Sequence, residues 1–363
     1  MHVPSKHPLA RWRNGWYNAK KHVTEQLQNT TPLRGKSGIL RFFMHYIDLH
    51  CDTLLLFSRP DAPADGLYEN DRSVDLVRMK EADCGAQFFA TFMPHPDWMH
   101  GLSDEQFRQK LYAGLMTAIT RHSDLISFAK DFHDYETNRR EGRMSAFLTF
   151  EDGRMIDGKF ENLQRFYTLG YRLITLTWNF ANCFGYPNSQ DSEIMEKGLT
   201  SFGKEAIQQM NQLGMIVDVS HLSDGGFWDV ADISKKPFIA SHSCCRALTP
   251  HTRNLTDPMI RRLAESGGII GVNFAPEFVG YGIHDKVSSV KRICDHVQHM
   301  ADVGGTDIIA LGSDFDGIGG ELEVAYPTDF TKLYDELTRR GFTAADIEKF
   351  SHGNAERILK DVL

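Results

Sequence analysis

Residues 215–243 read MIVDVSHLSDGGFWDVADISKKPFIASHS, and this stretch contains the repeating unit from which the fold is inferred. Two short apolar runs, 215–219 and 237–240, predict strands. Residues 220–236 connect them, and each run is followed closely by a histidine, His221 after the first and His242 after the second. The stretch therefore predicts two successive strands with an imidazole at the carboxyl end of each.

The same alternation of apolar runs and longer connections extends in both directions from this stretch. The predicted strands are 46–49, 85–93, 144–150, 172–177, 215–219, 237–240, 268–273 and 308–311. Helical patterns lie between several of them, at 104–120, 202–213, 257–265 and 287–303. Eight such strands predict an α/β fold, a closed parallel (β/α)₈ TIM barrel over residues 44–363. A doubly wound open sheet is the alternative, but no glycine-rich phosphate-binding motif follows the first strand.

Residues 1–43 differ from the rest of the chain in charge. They contain eight lysines and arginines against a single acid, Glu25. This basic N-terminal extension is interpreted either as a flexible or surface-bound segment or as an upstream start before a natural Met44. A targeting segment is the other alternative, because such segments are basic and poor in acids. We expect the folded domain to begin at Met44 or just after it.

The composition of the whole chain excludes several classes of protein. Its formal net charge of −8, from 40 basic and 48 acidic residues, argues against a nucleic-acid binder. Because no run reaches about 18 apolar residues, we expect no transmembrane anchor. The six cysteines form no CxxC pair, so reduced thiols and a cytoplasmic location are the simplest interpretation.

Side chains of chemical interest lie at the predicted strand ends, where barrels of this kind place catalytic groups. His50 and Asp52 end the first strand and share a side because they are two residues apart. Glu151 ends the third strand and is costly to bury unless it is paired or metal-bound. Taken singly, a His-x-Asp pair arises often by chance, and Glu151 is equally well the first solvated residue of a loop.

Three further strand ends change this balance. His221 and His242 follow the fifth and sixth strands, and Asp314 follows the eighth, within Gly312-Ser313-Asp314-Phe315-Asp316-Gly317. A lone histidine at a strand end is more often structural, but two at one rim favour metal binding. Three imidazoles and three carboxylates suit zinc rather than calcium or magnesium. Six ligands exceed the need of one tetrahedral ion and suit two zinc ions about 3.5–4 Å apart, bridged by a carboxylate and a water.

The order of these motifs resembles the membrane (renal) dipeptidase family of the amidohydrolase superfamily, from Met44 to the end of the chain. The resemblance implies that His50 and Asp52 bind one zinc ion and that His221 and His242 bind the other. It also implies two catalytic residues near the metals. These are Glu151, which bridges the ions, and Asp314, which shuttles protons.

The resemblance also addresses substrate binding. It assigns Arg253, in Arg253-Asn254, to the carboxylate of the substrate, which arginine binds in a bidentate manner. One position departs from the family, whose Leu-Thr-His after the fourth strand has a histidine that helps hold the developing oxyanion. Here the run is Leu176-Thr177-Trp178-Asn179. Trp178 can donate only through its indole N–H, and Asn179 or Asn182 could replace it as a donor, so all three are predicted to be substrate-binding.

From these residues and the resemblance we expect zinc-dependent hydrolysis of dipeptides, including L,D-dipeptides, by a hydroxide that two zinc ions share. The change at Trp178 keeps open hydrolysis of another small amide, an N-acyl amino acid or a lactone. A barrel without catalytic activity is the third alternative, which the presence of all six ligand-type residues disfavours. The expected partner is a small dipeptide-like substrate, and the choice between a monomer and a homodimer stays open.

Overall fold

The structure, a computed structural model, describes residues 44–59, 61–99, 101–282 and 284–363. The basic segment 1–43 lies outside the described residues. The strands are β1 (Tyr46–Cys51), β2 (Cys84–Phe92), β3 (Ile126–Phe128), β4 (Met144–Glu151), β5 (Tyr171–Thr175), β6 (Ile216–Asp218), β7 (Ile239–Ser243), β8 (Ile269–Val272), β9 (Val287–Ser288), β10 (Ile309–Leu311) and β11 (Glu321–Leu322).

The helices occupy most of the connections between strands. They are α1 (Leu76–Glu81), α2 (Asp104–Arg121), α3 (Phe132–Arg140), α4 (Phe160–Leu169), α5 (Ser192–Met195), α6 (Ser201–Leu213), α7 (Asp224–Ile233), α8 (Asp257–Glu265), α9 (Pro276–Val279), α10 (Val290–Gly304), α11 (Phe330–Arg339), α12 (Ala344–Glu348) and α13 (Asn354–Val362). A π-helical turn, Lys349–Gly353, joins α12 to α13. Within the described ranges, no helix is both long enough and apolar enough to span a bilayer.

Eight parallel strands close on one another in the order β1, β2, β4, β5, β6, β7, β8 and β10, after which β10 pairs with β1. The predicted (β/α)₈ barrel and its eight strands are thus confirmed. Most boundaries differ from the prediction by one to three residues, and strand pairing explains two of these differences. β7 extends to Ser243 because that residue still pairs with Val272 of β8. The helix predicted from residue 287 begins only at Val290, because 287–288 pair with β11 instead.

The alternation of side chains along the strands divides the core into two layers. One set, which includes Ile47, Phe88 and Phe147, forms a cluster with Ile358 and Leu359 of α13. The other set packs outward against the ring of helices. Because Asn354 donates to the carbonyl of Ile309 at the start of β10, α13 covers the amino ends of the strands and leaves their carboxyl ends open.

Candidate metal centre

Five barrel strands end beside a side chain that can bind a metal ion. These side chains are His50 and Asp52 (β1), Glu151 (β4), His221 (β6), His242 (β7) and Asp314 (β10). Because parallel strands share one carboxyl face, all six lie at the same rim of the barrel. Their ligand atoms form three overlapping triplets, each with its atoms within 4.8 Å of one another. The structure thus brings together all six residues that were predicted as metal ligands.

Glu151 lies between the two halves of this cluster. Its Oε2 is 3.1 Å from Nε2 of His50, whereas its Oε1 is 2.8 Å from Nε2 of His221 and 3.5 Å from Nε2 of His242. The Nε2 atoms of those two histidines are 3.1 Å apart. A carboxylate with one oxygen toward each of two ligand groups is well arranged to bridge two cations.

Asp52 and Asp314 complete the half that contains His50. Nε2 of His50 is 3.6 Å from Oδ2 of Asp52 and 3.8 Å from Oδ1 of Asp314. The other oxygen of Asp314, Oδ2, accepts a hydrogen bond of 2.8 Å from Nδ2 of Asn273. The backbone N–H of Ala275 in turn donates to Oδ1 of Asn273, which fixes the amide. Oδ1 of Asp314 is therefore directed toward the centre.

The local backbone at two of these residues is unusual. His221 and Asp314 have φ values of 67° and 61°, in the left-handed region. For residues other than glycine this conformation costs on the order of 1–3 kcal/mol and is concentrated at functional sites. The surrounding hydrogen bonds hold both side chains at the rim in spite of this cost.

Burial and mutual repulsion shift the proton affinities of the carboxylates. Burial, reinforced by the charge of Glu151, raises the pKa of Asp52 to about 6. Burial also raises the pKa of Asp314 well above its ordinary value. Burial acts in the same direction on Glu151, but His50 and the contacts with His221 and His242 outweigh it and hold the pKa of Glu151 well below its ordinary value. A divalent cation would stabilise the ionised carboxylates in this site.

The donor set and the space around it fit zinc. Among the described residues, Nε2 of His50 and Oδ1 of Asp52 are buried without a hydrogen-bond partner. Buried polar atoms are rarely left in this state, so a cation is a reasonable partner for both. Gly317 keeps the space open, because an added Cβ would lie 2.0 Å from Oδ2 of Asp52 and 2.6 Å from Oδ1 of Asp314.

A buried aspartate that the sequence analysis left without a role orients one of the histidines. Asp218 accepts hydrogen bonds from the backbone N–H and the hydroxyl of Ser241, at 2.8 and 2.5 Å. Oγ of Ser241 lies 2.7 Å from Nδ1 of His242. Because the hydroxyl of Ser241 donates its hydrogen bond to Asp218, its Oγ accepts a hydrogen bond from the N–H at Nδ1 of His242. Nε2 of His242 then keeps its lone pair for the centre, an arrangement typical of metal-binding histidines.

Asp48 has a corresponding role at the other side of the rim. It accepts hydrogen bonds from the backbone N–H of Ser313 at 2.8 Å and from its hydroxyl at 2.6 Å. β1 is thereby tied to the residue that precedes Asp314. A signal for Asp48 and Asp218 was present in the sequence, because each is a charged residue inside an apolar strand, close before a candidate histidine. Such a residue is stable there only with several hydrogen bonds.

Arg253 is buried beside the metal-ligand cluster. Its Nη1 donates to Oγ of Ser243 and its Nη2 to the carbonyl of His242, both at 3.0 Å. Its guanidinium lies 5.6 Å from the ring centre of Phe278. Burial lowers the pKa of Arg253, and the charges of Asp314 and Glu151 oppose that effect. Each Nη keeps a second N–H that these two hydrogen bonds do not use, so the group can still bind an anion.

The three residues predicted as donors near the fourth predicted strand occupy different environments. Trp178 is half-buried, with its ring 6.3 Å from that of His221. Asn179 is exposed. Asn182 donates from Nδ2 to Asp152 and to the carbonyl of Leu176, so its amide hydrogens are used within the loop.

Trp178 belongs to a group of aromatic residues that we call the aromatic wall: Phe92, Trp98, Trp178 and Phe180. The ring of Trp178 is 4.9 Å from Phe92, 6.0 Å from Trp98 and 5.9 Å from Phe180. Phe180 is 45% exposed. The wall therefore presents apolar surface to solvent on the side of the centre where His221 lies.

Comparison with known sequences finds a dipeptidase family model and a relative named as a dipeptidase. A family model described as membrane dipeptidase (peptidase family M19) matches residues 39–363. A protein of Klebsiella pneumoniae described as an uncharacterized protein in the pqqA 5′ region is 36% identical over 236 residues, which cover 63% of this chain and 86% of that protein. Dipeptidase tcpJ of Claviceps purpurea is 30% identical over 298 residues, 80% of this chain and 69% of its own length.

Two solved structures of metallopeptidases have the same fold as this chain. The dipeptidase AC, a metallopeptidase of family M19, superimposes with a TM-score of 0.81 at 26% identity, covering 88% of this chain and 99% of its own. A metallopeptidase from Rhodobacter sphaeroides, crystallised with a phosphinate mimic of the dipeptide L-Ala-D-Ala, superimposes with a TM-score of 0.80 at 26% identity and the same coverage.

Proposed function

The chain belongs to the membrane dipeptidase family, and we propose that it hydrolyses dipeptides at a centre of two zinc ions. Its membership makes it a metal-dependent dipeptidase, a hydrolase that acts on peptide bonds. The observation that carries the two-ion proposal is the position of Glu151, with Oε2 beside His50 and Oε1 beside His221 and His242.

In this proposal the six ligand-type residues divide into two sets that share Glu151. His50 and Asp52 would hold one ion, and His221 and His242 would hold the other, with Asp314 beside His50. Two bound zinc ions would lower the pKa of a shared water toward about 7 and polarise the scissile carbonyl. The remaining steps depend on side chains of this chain.

Asp314 is the proposed proton carrier. Its Oδ1 faces the centre, while Oδ2 is held by Asn273. It takes a proton from the attacking water as the carbon–oxygen bond forms. It then gives that proton to the amine nitrogen as the carbon–nitrogen bond breaks. The same group thus acts first as a general base and then as a general acid.

Arg253 and the aromatic wall are the proposed binding groups for the two ends of the substrate. The free N–H groups of Arg253 pair with the terminal carboxylate of the dipeptide. The aromatic wall excludes water near His221 and suits an apolar side chain. L,D-dipeptides are included among the proposed substrates because the Rhodobacter sphaeroides relative was crystallised with a mimic of L-Ala-D-Ala.

Trp178 also supports a second candidate reaction, hydrolysis of a small amide other than a dipeptide, an N-acyl amino acid or a lactone. An indole can donate its single N–H but cannot carry a positive charge, as an imidazole can. It therefore stabilises an oxyanion differently. Asn179 and Asn182 are weaker candidates for this task, since Asn179 is exposed and the amide hydrogens of Asn182 are already used.

A panel of substrates, assayed with the zinc-loaded protein, tests the proposal. L,L-dipeptides, L,D-dipeptides, N-acyl amino acids and a lactone are assayed on one preparation whose zinc content is measured in parallel. We expect dipeptides to be hydrolysed fastest, with about two zinc ions per chain in the centre. No dipeptide turnover by a zinc-loaded protein would reject the peptide substrate. Less than one zinc ion per chain after supplementation would favour a barrel without catalytic activity.

Two further properties belong to the proposal. We place the protein in the cytoplasm, because all six of its cysteines lie among the described residues and each is a free thiol. A monomer and a homodimer are both compatible with the chain, and light scattering of the zinc-loaded protein separates them.

A further inference from the structure

A second group of metal-ligand side chains lies at the opposite end of the barrel from the candidate centre. It comprises His45, just before β1, and His352 and Glu356, which are four residues apart where the π-helical turn meets α13. The ligand atoms of these three residues all lie within 4.8 Å of one another. We call this group the basal cluster.

The spacing within the basal cluster matches a tetrahedral metal site. Oε1 of Glu356 is 3.1 Å from Nε2 of His45 and 3.3 Å from Nδ1 of His352. Zinc bound tetrahedrally at about 2.0–2.1 Å from each ligand separates neighbouring ligand atoms by about 3.3 Å. The two distances to Oε1 of Glu356 therefore match edges of such a tetrahedron, and the two histidine nitrogens lie within 4.8 Å of each other.

Hydrogen bonding in the basal cluster is incomplete. Nδ1 of His352 is buried and, within the described ranges, has no aligned hydrogen-bond partner, although a carboxylate oxygen is near. The side chain of His352 is only 10% exposed. A buried ring nitrogen in this state is unusual, and a cation between it and Glu356 would satisfy it.

The neighbouring residues orient the basal cluster and make room for it. The hydroxyl of Tyr135, in α3, donates to Oε1 of Glu356 at 2.5 Å, as groups around a metal-binding carboxylate often do. At the start of β2, a Cβ added to Gly85 would lie 2.7 Å from Cδ2 of His45 and 3.2 Å from the Tyr135 hydroxyl. Glycine is therefore the residue that leaves space for both rings.

The surroundings of His45 favour the neutral form of its ring. The rings of His45 and His352 are stacked, with centres 3.6 Å apart. Burial lowers the pKa of His45, and the charges of His352 and Arg139 lower it further, whereas Glu356 raises it. Neutral imidazole is the form that binds metal ions.

The π-helical turn contains His352 and sets the position of its ring relative to His45. Such turns are rare and occur frequently at functional sites. Lys349–Gly353 adds the turn just where His352 must face His45, and Glu356 follows on the same side one turn later. The cluster thus joins the start of β1, α3 and the helix that closes the barrel.

We propose that the basal cluster is a separate site for one zinc-like divalent cation, bound by His45, His352 and Glu356. The fourth position is open to water, because the side chains of His45 and Glu356 are 17% and 29% exposed. Zinc is the expected ion, since two imidazoles and one carboxylate suit it better than calcium or magnesium. The site lies away from the substrate and stabilises the closed end of the barrel.

Zinc stoichiometry tests this proposal on the full chain. Wild type, His352→Ala and Glu356→Gln are loaded with zinc, freed of excess ion and measured by mass spectrometry. We expect each variant to hold one zinc ion fewer per chain than wild type, with kcat for a dipeptide within about twofold. His299→Ala is the matched control, since His299 is a half-buried histidine paired with Asp257 at 2.7 Å elsewhere on the surface. It should keep the wild-type zinc content.

Equal zinc content in wild type and a folded His352→Ala or Glu356→Gln variant would overturn the proposal. The basal cluster would then be an ordinary hydrogen-bonded ion pair. A measurement on wild type covers the case in which both variants unfold. Anomalous scattering at the zinc edge from zinc-loaded crystals should show a peak between His45, His352 and Glu356. The absence of a peak there, with peaks at the candidate centre, would equally reject the site.

Discussion

Nδ2 of Asn273 donates a hydrogen bond of 2.8 Å to Oδ2 of Asp314, and this contact decides which oxygen of Asp314 faces His50. Asn273 follows β8, whereas Asp314 follows β10, so the contact joins neighbouring barrel strands. Because Oδ2 is occupied, Oδ1 is the atom available to move a proton. The roles of Asp314 and of the histidines can therefore be separated by experiment.

Asp314→Asn and His221→Ala should both lower turnover severely, but for different reasons. An amide cannot accept and return a proton, and general acid–base groups contribute about 10²–10⁴-fold to a rate. Asp314→Asn should therefore lower kcat by about that factor and leave the zinc content of the centre nearly intact. His221→Ala removes a proposed ligand and should lower the zinc content. Kinetics and metal analysis of the same samples provide the check, and equal zinc loss in both variants would contradict the assignment.

Ser241→Ala should weaken metal binding without removing a ligand. The change deletes the hydroxyl between Asp218 and Nδ1 of His242, so the ring loses its orienting partner. Loss of such a partner usually costs about 10–100-fold in metal affinity. Zinc affinity is measured by competition with a chromophoric chelator.

Ser266→Ala serves as the control for Ser241→Ala, since the Ser266 hydroxyl donates to the carbonyl of Leu263 where α8 ends. Ser266 lies before the amino end of β8, whereas the site lies at the carboxyl ends of the strands. It should bind zinc with wild-type affinity. A Ser241→Ala protein with unchanged affinity would show that Asp218 orients only the strand backbone.

Trp178→Ala should lower kcat/KM by an amount that depends on the side chain of the dipeptide. Removal of the indole opens the aromatic wall and exposes the rings of Phe92 and Trp98. Aromatic contacts contribute about 0.5–1.5 kcal/mol, so kcat/KM for dipeptides with bulky apolar side chains should fall by up to about tenfold. Glycyl dipeptides should be affected less. Equal losses for both substrate types would place Trp178 in the chemical step instead of in side-chain binding.

Glu105→Gln should remove a pH-dependent part of the stability. Glu105 binds Nε and Nη2 of Arg108 at 3.0 and 2.8 Å, and the hydrogen bond to Arg108 lowers its pKa to about 2. A carboxyl whose pKa is depressed in the folded state stabilises it above the unfolded pKa, near 4.5, and loses that contribution as the pH falls toward 2. The pair is partly exposed, so the effect should be about 1 kcal/mol or less.

Urea unfolding at pH 7 and at pH 3 checks this expectation. The difference in unfolding free energy between wild type and Glu105→Gln should be larger at pH 7 than at pH 3. Glu265→Gln, an exposed glutamate at the end of α8, provides the baseline for neutralising a surface acid. A difference for Glu105→Gln that grows as the pH falls would have the wrong sign for this pair.

The barrel and the inventory of site residues were open to prediction from sequence because both depend on short-range patterns. Short apolar runs, with helical patterns between several of them, identified all eight barrel strands. The position of a residue at the end of a parallel strand then determined that His50, Glu151, His242 and their companions share one rim. Histidine and carboxylate chemistry indicated zinc before any distance was known.

The way in which those residues face one another depends on contacts between strands that are distant in the sequence. Which oxygen of Glu151 points to which histidine depends on the stagger between β4 and its neighbours, and no local pattern encodes that register. The roles of Asp218 and Asn273 depend on partners from adjacent strands, and the amide hydrogens of Asn182 are used by its own loop. The basal cluster joins residues more than 300 positions apart, since His45 and Glu356 meet only when α13 closes the barrel.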